Sequence, residues 1–229
     1  MQLLALETST NLGSCALWRD GACAERFCPD GVLHSETLLP LVRNLLTDAG
    51  VSLSQLDGIA FGAGPGAFTG LRVACGVAQG LAVGAGLPVV PVGSLDALAW
   101  ASGTERCLVL LDARMNEIYS GYFERGDHGL RLIGALGLSS PEALEWPQTG
   151  RYVVVGNALR AYPQLAQRAG QLGMATQAEL MPRAADIAAL AALKTQAGEA
   201  CDPALAVPHY VRDKVAKTVL ERLTEGGKA

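Results

Sequence analysis

Gly62-Ala63-Gly64-Pro65-Gly66-Ala67-Phe68-Thr69-Gly70-Leu71-Arg72 is the stretch that decides the fold, because it is either a phosphate-binding loop or a strand-to-helix connector. A P-loop closes on Gly-Lys-Ser/Thr, and this chain has no lysine between residues 1 and 193. A dinucleotide-binding turn follows the first strand of a βαβ unit. Here three strand patterns and a helix precede residue 62. What remains is a connector in which Gly64 and Gly66 let the chain turn beside Pro65, while Thr69 can cap the helix that follows. The partial positive charge of that helix's N-terminus also allows an anion site, so connector and anion site both stay open on sequence alone.

Upstream, residues 3–7 read as a buried strand, 13–18 as a second and 22–27 as a third, with Asp20-Gly21 supplying the hairpin turn. Leu38, Leu41, Val42, Leu45, Leu46 and Ala49 recur at helical spacing, Gly50 supplies a stop, and Pro40 is tolerable only near the first turn. A strand at 58–61 enters the glycine-rich stretch, a helix covers 71–85, and a fifth strand follows at 89–92. The order is βββαβαβ. It partly recurs, with strands near 107–112, 117–124, 130–136 and 152–155 and helices near 159–169 and 184–197. The expected fold class is therefore α/β, with a first lobe over 1–101 and a second, degenerate lobe over 102–229. The tail from Pro203 is expected to lie at the periphery and to be mobile beyond Thr224.

Composition bounds the function. Half of the 229 residues are hydrophobic and 17% are charged, so most of the chain can fold. A net charge of −4 argues against a broad basic surface gripping nucleic acid alone. The six cysteines form no CxxC pair, and residues 1–10 lack a basic region and carry Glu7 early, both of which point to the cytoplasm. The most apolar stretch, 73–92, is broken by Gln79, Pro88 and Pro91, which argues against a membrane span.

Four features bear on chemistry. Glu7-Thr8-Ser9-Thr10-Asn11 leaves the first strand with an acid, three hydroxyls and an amide, a set suited to a phosphate and a metal-bound water or simply to a tight turn. Asp112 with Arg114, at the end of the second lobe's first strand, can face Glu7 across a cleft or form a strand-end salt bridge. His34, His128 and His209 are isolated in sequence, and no Gly-x-Ser-x-Gly elbow supports a peptidase. Gly76, Gly80 and Gly84 recur every four residues on one helical face. Three interior glycines cost about 2 to 3 kcal/mol relative to alanine, so a close neighbour, within the chain or in a partner, must offset them.

Taken together, Leu4-Ala5-Leu6-Glu7-Thr8-Ser9, His34-Ser35-Glu36-Thr37-Leu38-Leu39-Pro40, the 62–72 stretch, Asp112-Ala113-Arg114-Met115-Asn116-Glu117-Ile118-Tyr119 and Pro208-His209-Tyr210-Val211-Arg212 resemble the TsaB (YeaZ) family over essentially the whole chain. Glu7 stands where the family usually has Asp, and Ala67 where it usually has Ser. The resemblance implies an actin-like ATPase (ribonuclease-H-like) fold of duplicated lobes and a subunit with no catalytic residues and no metal. The catalytic paralogue, TsaD, holds a metal through His-x-x-x-His, and at that place this chain has Ser94 and Leu98. Implied partners are a TsaD-like catalytic subunit, a TsaE-like ATPase and a second copy of this chain, with tRNA reached only through them. The expected interface is the helices at 35–49 and 71–85, with Leu38, Leu41, Leu45, Arg72, Gly76, Gly80 and Gly84. No cofactor is expected in the chain itself, ATP or ADP being placed at the joint interface. The competing expectation is an autonomous ATP-dependent phosphotransferase using Glu7 and Asp112 around a metal, with Glu7, Thr8, Ser9 and Asp112 as the candidate nucleotide or phosphate contacts.

Overall fold

The computed structural model describes residues 1–126 and 129–212. Its first strand, β1 (Gln2–Glu7), is apolar at nearly every position because both of its faces are covered. Leu4 and Leu6 point into one core, and Leu3 and Ala5 into another. Two further strands, β2 (Ser14–Arg19) and β3 (Ala22–Phe27), extend the sheet antiparallel, with Leu3 opposite Trp18 and Leu6 opposite Cys15. Asp20 (φ 47°) and Gly21 (φ 94°) make the hairpin turn, the left-handed pair that matches strand twist. On the other side β4 (Gly58–Gly64) and β5 (Val89–Gly93) run parallel, giving the order β3-β2-β1-β4-β5.

Two helices cover one face of this sheet. The first, α1 (His34–Asp48), buries Leu38, Val42, Leu45 and Leu46 and ends where Gly50, at φ 63°, lets the chain leave left-handed. It starts earlier than the periodicity predicts, so Pro40 falls inside the helix rather than in its first turn. Pro40 is exposed, as is Glu36, the residue whose carbonyl loses its helical donor, so water can take that bond. The second, α2 (Phe68–Ala85), lays Ala74, Ala78 and Ala82 on the sheet and stops at Gly86, φ 67°. By length and composition α2 could cross a membrane, but a third of it is buried along this sheet.

The second lobe repeats the plan. Its strands β6 (Arg106–Arg114), β7 (Glu117–Gly126), β8 (Gly129–Ser139), β9 (Val153–Val155) and β10 (Thr176–Gln177) are ordered β8-β7-β6-β9-β10, the same topology as the first sheet. Two such sheets constitute the actin-like, ribonuclease-H-like fold. Only a 3-10 turn at Pro141–Ala143 stands between β8 and β9, where the first lobe has α1. The helix expected over 159–169 is two helices, α4 (Ala158–Ala161) and α5 (Pro163–Gln171), because Pro163 forces Tyr162 out of helical geometry. An unpredicted helix, α3 (Ser94–Ala101), lies between the lobes. Its Leu95 and Leu98 pack with Val109, Leu111 and Phe123 of the second lobe, while Ala97 joins the first-lobe core.

Two features depart from chain order. The last α-helix among the described residues, α6 (Ala184–Gln196), follows the second lobe in sequence yet packs Ala184, Ile187, Ala188 and Ala191 on the free face of the first sheet. Likewise, residues 201–212, expected at the periphery, are held against both lobes. Pro203 and Ala206 are hydrogen-bonded to Gln79, and Arg212 to Ala113. His128 and the tail beyond Arg212, including Thr224, lie outside the described residues.

Candidate functional site

Three glycines of the 62–72 stretch are spaced by four, and each marks a place where the β1–β2 turn presses on that stretch. A Cβ on Gly62 would stand 2.1 Å from Glu7 Oε2, one on Gly66 2.5 Å from Ser9 Cβ, and one on Gly70 1.8 Å from the Thr8 carbonyl oxygen. Hydrogen bonds fasten the same contact. Thr8 Oγ1 donates to the Gly70 carbonyl at 2.7 Å, and the Ala67 N–H to the Ser9 carbonyl at 2.7 Å.

Glu7 is fully buried. Its carboxylate accepts the Ser9 N–H at 2.5 Å and the Ser94 hydroxyl at 3.1 Å. Burial pushes the carboxyl up from its usual range, and the hydrogen bonds from Ser9 and Ser94 reverse only part of that. Glu7 is therefore turned into the protein, bracing the turn against α3, and does not face a ligand. Thr8 and the Ser9 hydroxyl are buried in the same contact. The expectation that Glu7 and Thr8 contact phosphate is corrected, because the Glu7 carboxylate is spent on Ser9 and Ser94 and the Thr8 hydroxyl on Gly70, whereas the Ser9 hydroxyl is buried without a partner and Ser9 lines the space between the lobes; the 62–72 stretch is a connector.

Asp112 does reach the space between the lobes, in a small cavity of about 270 Å³ lined also by Asn11, Phe68, Arg114, Asn157 and Tyr210. It is occupied by its own lobe. Asp112 Oδ1 accepts Tyr162 Oη at 3.1 Å and the Arg114 N–H at 2.9 Å, and Oδ2 lies 3.7 Å from Arg114 Nε. These bonds hold a strained hairpin in which Arg114, Met115 and Asn116 have φ of 61°, 54° and 59°. Ser94 is buried on Glu7, Leu98 lies in the core, and among the described residues no three His, Cys, Asp or Glu side chains converge.

The outer face of α2 is the reverse case. Gly76, Gly80 and Gly84 are exposed, and a Cβ on any of them would meet nothing within 4 Å. No close neighbour among the described residues explains them. Beside them Val83 is 70% exposed and, on α1, Leu39 is 49% exposed. An apolar groove between the two helices is lined by Leu39, Pro40, Arg43, Leu46, Leu53 and Leu81.

The expected interface set needs correction here. Leu38 and Leu45 are each 1% exposed in the first-lobe core and are closed to any partner, and Leu41 is half-buried against it. Arg72 is engaged within the chain, its guanidinium 3.8 Å over the Phe68 ring and its Nε donating to Tyr210 Oη at 3.2 Å. The exposure of Leu39 and Val83 is not legible from a helical stripe, which selects the residues a helix buries. The available signal was their position off that stripe.

Comparisons with known proteins bear on the family. A family model described as "TsaD: tRNA N6-adenosine threonylcarbamoyltransferase" matches residues 32–219. The Escherichia coli (strain K12) protein named "tRNA threonylcarbamoyladenosine biosynthesis protein TsaB" is 35% identical over 94% of this chain and 96% of its own length. The Haemophilus influenzae protein of the same name is 38% identical over 73% of this chain and 77% of its own. The solved structure of YeaZ from Pseudomonas aeruginosa superposes with a TM-score of 0.81 at 38% identity, covering 92% of this chain and 99% of that one. With two five-stranded sheets of the same topology and these relatives along most of its length, the chain belongs to the TsaB (YeaZ) family.

Proposed function

We propose that this chain is a non-catalytic subunit of tRNA threonylcarbamoyladenosine synthesis. It docks on a TsaD-like catalytic subunit through the outer face of α2 and the adjoining edge of α1. With a TsaE-like ATPase, that pair transfers the threonylcarbamoyl group from threonylcarbamoyl-AMP to N6 of the adenosine 3′ to the anticodon in tRNAs reading codons that begin with A. When the catalytic subunit is absent, two copies of this chain pair through the same face. Any ATP or ADP sits at the joint interface, tRNA is held by the partners, and the complex works in the cytoplasm.

The observation that carries this proposal is the open strip Gly76, Gly80, Gly84. Bare backbone lets a second helix approach more closely than side chains permit. The strip destabilises α2 by about 2 to 3 kcal/mol against alanine with nothing in the described chain to offset it. The buried Glu7 also works against an autonomous phosphotransferase, which needs an acid open to a metal-bound nucleotide.

The test is a threonylcarbamoyl-transfer assay on the co-purified TsaB-like, TsaD-like and TsaE-like proteins with each omitted in turn. Loss of transfer when this chain is left out, and no transfer by this chain alone, are the expected results. Micromolar binding of MgATP by the isolated chain, with turnover lost in Glu7→Ala, would replace the proposal with the phosphotransferase.

A further inference from the structure

The two lobes meet at α3, whose residues pack into both cores, and at Leu130 of β8, which packs against both, while the chain crosses back from β10 to α6. Lobes joined in this way can still hinge, opening and closing the space between them. In this chain a further connection runs through the space between the lobes. Residue Cys201 exchanges two backbone hydrogen bonds of 2.9 Å with Val89 on β5. The chain then runs along α2, where Gln79 Nε2 donates to the carbonyls of Pro203 at 2.9 Å and Ala206 at 3.1 Å. At the gap, the His209 N–H donates to the Ala63 carbonyl of β4 at 2.6 Å, and the Tyr210 ring lies 5.1 Å from that of Phe68. Across the gap, Val211 packs into the second-lobe core. Arg212 donates to the Ala113 carbonyl at 2.9 Å and forms an ion pair with Glu117 at the strained β6–β7 hairpin.

His209 is thus fastened to the first lobe and Arg212 to the second. The segment between them has a cavity on either side. Asn11, Asp112 and Arg114 line the front one, and Asp96, Leu136 and Lys194 the back one, while His209 and Val211 line both. We infer that residues 201–212 are a built-in strap that occupies the space between the lobes and locks them at one angle without any ligand. The docking helix α2 and the second lobe are thereby held in a fixed relation before a partner arrives. This goes beyond the proposed docking role and stands whether or not that role is correct.

Hydrogen exchange on the full chain tests it, comparing wild type, Tyr210→Ala/Arg212→Ala and Arg212→Lys. Cutting the strap should speed exchange at 113–118 and 61–68 by about 10-fold or more, as local opening does, while β1, β2 and α5 keep their protection. Arg212→Lys, which keeps the charge and loses the planar fork, should fall between the two. Unchanged exchange at both segments would overturn the strap. So would an equal rise along the whole chain, because the segment would then contribute only general stability.

Discussion

Two glycine triplets with the same spacing sit end to end in this chain and do opposite things. Gly62, Gly66 and Gly70 would place a Cβ 2.1, 2.5 and 1.8 Å from atoms of the β1–β2 turn, whereas Gly76, Gly80 and Gly84 would place theirs in open space. The first triplet is explained inside the molecule, by backbone that must approach backbone. The second has no such cause among the described residues, and in the proposed function it faces a docking partner. Spacing alone cannot tell these apart, since glycine removes a side chain in the same way whether the space is needed within or without.

Breaking the first triplet should give the largest effect. Gly70→Ala sets a methyl group against the Thr8 carbonyl, a backbone atom that cannot swing aside, and should lower stability by about 3 kcal/mol or more in urea unfolding. Filling the second triplet should do the reverse. The triple variant Gly76→Ala/Gly80→Ala/Gly84→Ala relieves helix strain and should raise monomer stability by about 2 kcal/mol in the same measurement. A destabilised triple variant would show that the strip is packed after all, and the contrast between the triplets would disappear.

A smaller effect sharpens the inner half of the comparison. Glu7, for which Gly62 leaves room, has its folded-state pKa raised above the ordinary 4.5 by burial. The folded state therefore holds this proton more tightly than the unfolded chain does. The stability it contributes is present below pH 4.5 and is lost as pH rises through the raised value. Glu7→Gln should flatten that decline, so urea midpoints at pH 5 and pH 8 should differ by less in the variant than in wild type. An unaltered pH profile would mean that the carboxyl is open to water and free for a ligand.

Much of the fold was legible because it rests on local signals. Asp20-Gly21 named the hairpin, alternation and apolar runs named the strands, and the recurrence of element order revealed the second lobe. What escaped depends on contacts distant in sequence. The β10 strand has two residues, and α3 is too short and too uniformly apolar to show a helical period. Nothing in 184–196 says which lobe it covers. Pro203 and Pro208 make the strap look like loose coil, although Arg72, Gln79 and Ala63, all more than a hundred positions away, fasten it.

At the site, residue types were readable and directions were not. Glu7, Thr8 and Ser9 have the composition of a phosphate turn, yet the Glu7 carboxylate and the Thr8 hydroxyl are bonded inside the protein, with the 62–72 stretch lying on top of the turn. Leu38 and Leu45 were placed at the interface because they are the most periodic leucines of α1, and that periodicity is what buries them. Of the expected interface set, the glycine strip and Arg72 are the exposed members. The strip's regular repeat in an otherwise good helix had no internal use.

The most direct test of that feature is the association of Gly80→Leu with the TsaD-like subunit and with itself, followed by light scattering on size-exclusion columns alongside thermal unfolding. Loss of both complexes from a variant whose monomer unfolds at or above the wild-type temperature is the predicted result. Intact complexes formed by Gly80→Leu would contradict the docking face.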